Sequence, residues 1–281
     1  MTPGLPSTAG MSIGQSAVLA CLLEVSAPKP GNVHRGADFD DLTLDQFLVS
    51  AVAIGPAMDR ADRTPLGRTI LDAVEATRRA VGTNSNLGLV LLLAPLAAAA
   101  RDVPLAAGVR DVLSRLTSAD ARDVYAAIRL ARPGGLGRAD RHDVAGPPPE
   151  NLLDAMQLAA DRDLVARQYV DGFHEVLEEA VPWIRSGLDR GRTLAEAVVH
   201  AQMRLMAAHG DGLILRKCGP AVSAEAAARA AAVLASGGPG EENYHAALAD
   251  LDFWLRADGR RRNPGTTADL LGASLFAILR E

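Results

Sequence analysis

The chain has 281 residues, enough for one large core or two small ones, and its aromatic content is only 4% while alanine and leucine recur throughout. Alanine, leucine, arginine and glutamate favour helices over strands, so the composition predicts an all-α protein. A formal net charge of −5 excludes a broad basic field for nucleic acid or an anionic membrane, so any anionic ligand must be met by local groups.

The opening MTPGLPSTAG holds no basic residue, which argues against a secretory signal, and residues 1–10 read as a flexible tail. Only two cysteines, Cys21 and Cys218, are present, as expected of reduced thiols in a cytoplasmic protein. A first helix runs from about Ser12 to Val25. The following PKPGNVHRGADFDD stretch carries Pro28, Pro30, Gly31 and Gly36, which forbid a helix. Thr43 caps the next helix, with Gln46 completing a capping box and Leu42 stapled against Phe47. Thr64-Pro65 opens a third helix, which Gly82 ends.

Residues 81–100 read VGTNSNLGLVLLLAPLAAAA. The small and amide side chains of GTNSNLG predict a turn with uncovered backbone N–H groups, and a helix starting at Leu87 aims its positive end there. Its apolar run, interrupted by Pro95, is shorter than the ~20 residues of a membrane span, so it reads as a central helix buried on all sides. Further helices are expected near 105–116, 118–131, 150–159, 161–189, 194–208, 223–235, 242–257 and 268–280. Thr193 with Glu196, and Thr266 with Asp269, have the spacing of N-terminal boxes. The longest break, Pro133 to Pro149, lacks linker composition, so residues 11–281 are read as a single globular multi-helix domain around the buried central helix.

Four polar, glycine-bearing stretches interrupt these helices: PKPGNVHRGADFDD, GTNSNLG, RKCG and NPGTTADL. They offer Lys29, Arg35, Arg216 and Lys217 for phosphate oxygens, and Asp38, Asp40, Asp41 and Asp269 for Mg²⁺ or proton transfer. No histidine pair has zinc-ligand spacing. His34 is the histidine best placed for substrate contact, whereas His174, His200 and His209 read as satisfied helical positions.

In order, ACLLEVSAPKPGNV, GTNSNLG, LILRKCG and NPGTTADLL resemble the triphosphoribosyl-dephospho-CoA synthase family over nearly the whole chain. The resemblance implies an all-α enzyme in cofactor biosynthesis that uses ATP with Mg²⁺. In that family's reaction the 2′-hydroxyl of 3′-dephospho-CoA attacks the ribose C1′ of ATP, adenine leaves, and the triphosphate stays on the transferred sugar. It further implies that Lys29, Asn32, Asn84, Ser85 and Asn86 bind phosphates, with Thr83, Arg35, Thr266 and Thr267 beside them and Arg216 and Lys217 adding charge. Asp269 is the first choice for a catalytic carboxylate or metal ligand and Glu24 the second; His34 and the acidic Asp38, Asp40 and Asp41 complete the expected set.

Better-known members carry G-x-N-T-H-K-G where this chain has GTNSNLG. This form of the turn, with AIRLARPGGLG and RDLVARQY, resembles the branch associated with tetrahydromethanopterin-type cofactor formation, which implies a related transferase with a different acceptor. Two further readings stand beside the transferase: an all-α metal-dependent hydrolase of ADP-ribose-type glycosides, and a non-catalytic helical partner protein. The expected partners are small molecules and, as an assembly, a homodimer, with neither nucleic acid nor membrane.

Overall fold

The computed structural model describes residues 4–5 and 8–281, and the expected tail over 1–10 lies partly outside the described residues. Among them fourteen α-helices form and no strand does. The first six are α1 (Ile13–Ser26), α2 (Leu44–Met58), α3 (Leu66–Val81), α4 (Leu87–Ala98), α5 (Leu105–Ser114) and α6 (Ser118–Ala131). Next come α7 (Leu152–Ala159), α8 (Leu164–Asp171), a π-helical segment (Glu175–Ala180) and α9 (Val181–Asp189). The last five are α10 (Leu194–His209), α11 (Gly212–Cys218), α12 (Pro220–Ala235), α13 (Glu242–Arg256) and α14 (Gly265–Leu279). The chain is all-α, as its composition predicts.

Helix starts follow side-chain chemistry. Ser12 Oγ accepts from Gln15 N at 3.1 Å while Gln15 Oε1 accepts from Ser12 N at 2.9 Å, a reciprocal box that opens α1. Thr193 and Glu196 do the same for α10. Gly82, at φ 71°, ends α3 in the left-handed region where glycine carries no Cβ penalty.

Three expectations are corrected. The single helix expected over 161–189 is broken, because Gly172 (φ 73°) and the fully buried Phe173 (φ 68°) turn the chain after α8. RKCG is the last turn of a helix, because Asp211 caps α11 by accepting from Leu213 N and Ile214 N at 2.9 and 3.0 Å. The box expected between Thr266 and Asp269 does not form, since α14 already begins at Gly265 and both residues lie within it. The other oxygen of Asp211 instead accepts from Thr267 N and Oγ1 at 2.7 and 2.8 Å, which welds the starts of α11 and α14 together.

The centre of the fold is a pair of helices. Val90, Leu92, Leu93, Ala94 and Leu96 of α4 are fully buried, as expected, and every residue of α14 from Leu270 to Leu279 is buried too. Burying a leucine fully is worth about 1.5–3 kcal/mol, so this pair holds much of the core energy. Pro95 cannot donate to the Leu91 carbonyl; the Tyr169 hydroxyl donates to it at 2.6 Å instead. At the far end Arg280 donates to the carbonyls of Leu96 and Ala99, placing a cation at the negative end of the α4 dipole. The positive end faces the cavity described next. A smaller apolar cluster of Met203, Met206, Ile214, Tyr244, Leu251 and Leu255 joins α10 to α13.

Candidate active site

The turn before α4 is closed largely by its own side chains. Asn84 Oδ1 accepts from Leu87 N at 3.1 Å, and the hydroxyls of Ser85 and Ser50 are 2.6 Å apart. Asn86 is only 7% exposed, yet its Nδ2 has no hydrogen-bond partner. A buried donor left unpaired costs about 1–3 kcal/mol, so its retention beside a positive helix end marks a place where an acceptor belongs.

Asp269 enters the same place from α14. A Cβ built on Gly88 would lie 2.0 Å from Asp269 Oδ2, so only glycine lets this carboxyl rest against the first turn of α4. Burial pushes the Asp269 carboxyl well above its usual range, and the neighbouring charges of Glu24, Asp211 and Asp163 add to the rise while Arg216 opposes it.

Glu24 is held from behind. The ammonium of Lys29 is fully buried, bridges Glu24 Oε1 at 2.8 Å, and donates to the carbonyls of Glu24 and Ala27. All three of its donors are therefore engaged within the protein. The loop around it is fastened by Asn32, whose Nδ2 donates to Asn263 Oδ1 at 2.5 Å and whose Oδ1 accepts from Gln202 at 3.0 Å.

The turn, Asp269, Glu24 and Asn32 border one cavity of about 430 Å³, a size that suits a small-molecule ligand. Glu24, Asn32, Thr83, Asn84, Ser85, Asn86, Arg216, Lys217, Thr266 and Asp269 line it, so the structure gathers ten of the residues picked out from sequence. It adds Arg78, Arg132, Arg141, Arg162 and Arg260, which sequence reasoning missed. The lining thus holds seven lysine and arginine side chains against four carboxylates, in a chain whose net charge is −5. A low-dielectric cleft focuses such a field on an anion. The signal for Arg260 was the basic run DGRRR directly before NPGTTADL.

Lys29, His34, Arg35, Asp38, Asp40, Asp41 and Thr267 do not line the cavity. His34 Nδ1 accepts from Gly36 N at 3.1 Å in a tight turn, and burial followed by the charge of Arg256 lowers its pKa. Arg35 and Asp40 are exposed. Asp38 Oδ1 accepts from Leu44 N at 2.7 Å at the start of α2, and Asp41 pairs with Arg260 at 2.6 Å. Among the described residues no three acidic, histidine or cysteine side chains converge as a metal-holding group, so the four aspartates expected as metal ligands are not brought together. Arg216 bridges to Asp163, which itself caps α8 through Val165 N at 2.9 Å. Its Nε is buried and unpaired.

A protein of Pseudomonas putida named "Probable 2-(5''-triphosphoribosyl)-3'-dephosphocoenzyme-A synthase" is 27% identical over 283 residues, covering 98% of each chain. A protein of the same name from Stutzerimonas stutzeri is 27% identical over 268 residues, covering 89% of this chain and 84% of its own. A crystal structure from Archaeoglobus fulgidus, solved under the designation "putative triphosphoribosyl-dephospho-coA synthase", superposes with a TM-score of 0.63 at 28% identity. It covers 83% of this chain and 98% of its own. The model of one transferase family matches residues 10–281, the span that supplies every wall of the cavity, and on that match the chain belongs to the ATP:dephospho-CoA triphosphoribosyl transferase family.

Proposed function

We propose that this protein transfers the triphosphoribosyl group of ATP to the 2′-hydroxyl of 3′-dephospho-CoA, releasing adenine. The observation that carries this reading is the division of the cavity into a carboxylate pole, Glu24 and Asp269, and a surrounding set of cations and uncapped donors. Displacement at the ribose C1′ builds positive charge on the sugar, which a nearby carboxylate stabilises. The triphosphate it carries needs cations and N–H donors on the other side. Asp269, with its raised pKa, is suited to take the proton of the attacking hydroxyl. Glu24, ion-paired with Lys29, supplies the negative charge beside it.

The glycine turn lacks the His-Lys pair of better-known members, and Arg78, Arg216, Lys217 and Arg260 supply cations in its place. Mg²⁺ would arrive with the nucleotide, held mainly by phosphate oxygens and water; Asp269 is the protein oxygen best placed to join it, and the ion would neutralise phosphate charge. The expected setting is cytoplasmic, in keeping with soluble substrates, and no described helix is long and apolar enough to cross a membrane.

The test is incubation with ATP, Mg²⁺ and an acceptor panel of 3′-dephospho-CoA, CoA and a tetrahydromethanopterin precursor, followed by chromatography of the bases and nucleotides. Adenine formed only in the presence of 3′-dephospho-CoA supports the assignment. Adenine formed only with the pterin moves the acceptor to the other branch. Adenine or ribose phosphates formed without any acceptor would show a glycoside hydrolase.

A further inference from the structure

The cavity has two cationic ends rather than one. At the first, the Thr83–Asn86 turn holds the unpaired Nδ2 of the buried Asn86 before the positive end of α4, and Arg78 in the last turn of α3 lines the same cavity. At the second, Arg216 and Lys217 end α11 and lie against the glycine loop that follows α6. A methyl group at Gly135 (φ 74°) would come within 3.1 Å of Lys217 Cγ and 3.5 Å of Arg216 Cβ, so the loop backbone rests directly on both side chains. Lys217 Nζ donates to Arg260 O at 3.4 Å, which brings a third cation to the same end. Arg216 has Asp163 and Arg260 has Asp41, but among the described residues no carboxylate forms an ion pair with Lys217. Burial, then the charges of Arg260 and Arg216, lower the Lys217 pKa, while Cys218 and Asp211 oppose the fall.

Beside the charged Arg132, Arg141 and Asp163, the cavity lining also offers apolar side chains. Leu136 follows Gly135 in the glycine loop, Met156 and Leu158 of α7 line the same cavity, and Leu158 and Leu136 remain 43% and 45% exposed. A ligand that fills this end therefore joins an anionic group to a longer, weakly polar arm reaching toward solvent. Of the two substrates in the proposed reaction, ATP ends in its phosphates, whereas the acceptor carries a diphosphate followed by a pantetheine arm.

We infer that the α11 and glycine-loop end is the acceptor subsite, where Lys217 and Arg260 hold the diphosphate and the Leu136–Met156–Leu158 strip holds the arm, while the α4 end holds the triphosphate of ATP. This assignment rests on the proposed reaction for the identity of the acceptor. It also places the Glu24 and Asp269 carboxylates where the two ligands meet, since Asp269 touches Gly88 on one side and feels Arg216 on the other.

Calorimetric binding to the full chain, without turnover, tests it with two probes: inorganic triphosphate and 3′-dephospho-CoA. The subsites predict that both probes bind together. Lys217→Met keeps the stem that packs on Gly135 and removes the charge; it should weaken 3′-dephospho-CoA at least 10-fold and change triphosphate affinity less than 2-fold. Arg78→Gln should do the reverse. Leu158→Asp should abolish the preference for 3′-dephospho-CoA over ADP, which lacks the arm. Competition between the two probes in the wild type, or equal losses of both in Lys217→Met, overturns the assignment. If adenine is released on incubation with ATP and acceptor yet the variants behave in that second way, the reaction stands and only the subsites fall. If neither probe binds at millimolar concentration, the proposed reaction falls and the subsites fall with it.

Discussion

Asp269 is a residue whose burial opposes stability and, in the proposed reaction, serves chemistry. Its folded-state pKa lies above the ordinary 3.8, so the folded protein holds the proton more tightly than the unfolded chain does. The associated stability is present at low pH and is lost as pH rises above 3.8 through the folded value, leaving the ionised carboxyl a net cost at neutrality. Asp269→Asn should therefore raise the melting temperature at pH 7, by about 2–4 °C for each kcal/mol recovered, with the gain shrinking in acid. Turnover should fall about 10²–10⁴-fold, and in the wild type kcat/KM should climb with pH through the same titration. Scanning calorimetry and initial rates across pH check both limbs. Lys29, by contrast, supports the fold as the buried ion-pair partner of Glu24. Lys29→Met leaves the buried Glu24 unpaired and should cost about 3–5 kcal/mol in urea denaturation, part of which Glu24→Gln restores in the double variant. Asp269 was picked out in NPGTTADL as a carboxylate expected in a helix's first turn; the structure keeps it on the cavity but seats it inside α14, past the first turn. Lys29 was read as a phosphate ligand because it is a cation in a polar, glycine-bearing loop and the family resemblance gives it that role; its burial depends on α1 and the loop packing together, which spacing does not disclose.

At the scale of elements, α4 is a buried dipole with a finished end and an open one. Its C-terminal carbonyls are met by Arg280 and its proline gap by Tyr169, while its first turn is left to Gly88, Asn86 and Asp269. Tyr169→Phe should cost about 1–3 kcal/mol, because the Leu91 carbonyl then has no donor; the urea midpoint is the measurement. Gly88→Ala separates the roles of the open end. Alanine favours a helix by about 1 kcal/mol over glycine, so the variant should fold, yet its methyl collides with Asp269 Oδ2 and displaces the carboxyl. A misplacement of about 1 Å costs on the order of 10²-fold in rate, so kcat should drop while circular dichroism stays unchanged. Most helices were readable from caps and glycine stops, as with Thr193–Glu196 before α10 and Gly82 after α3. Two features were not. α11 is too short to show periodicity, and the break after α8 comes from Gly172 and a buried Phe173 in a backbone region that phenylalanine rarely occupies.

For the whole molecule, the decisive arrangement is a cationic cavity inside an acidic protein. Besides Arg216 of α11, its arginines come from α3, the glycine loop, the segment between α7 and α8 and the segment before α14, positions 78, 132, 141, 162 and 260. No window of sequence contains them together, which is why the turn and the RKCG and NPGTTADL motifs were visible while most of the charge around them was not. The family pattern was legible because its motifs recur in order along the chain, and the match over residues 10–281 agrees with it. The central claim is that this cavity moves a whole triphosphoribosyl group, with its carboxylate pole serving the sugar and its cations serving the phosphates. Mass spectrometry of the acceptor after reaction with ATP and Mg²⁺ tests this most directly. The account predicts a 3′-dephospho-CoA product heavier by one triphosphoribosyl group, with one adenine released per product. An acceptor that gains only phosphate or adenylate, with ADP or pyrophosphate as the by-product, would contradict it.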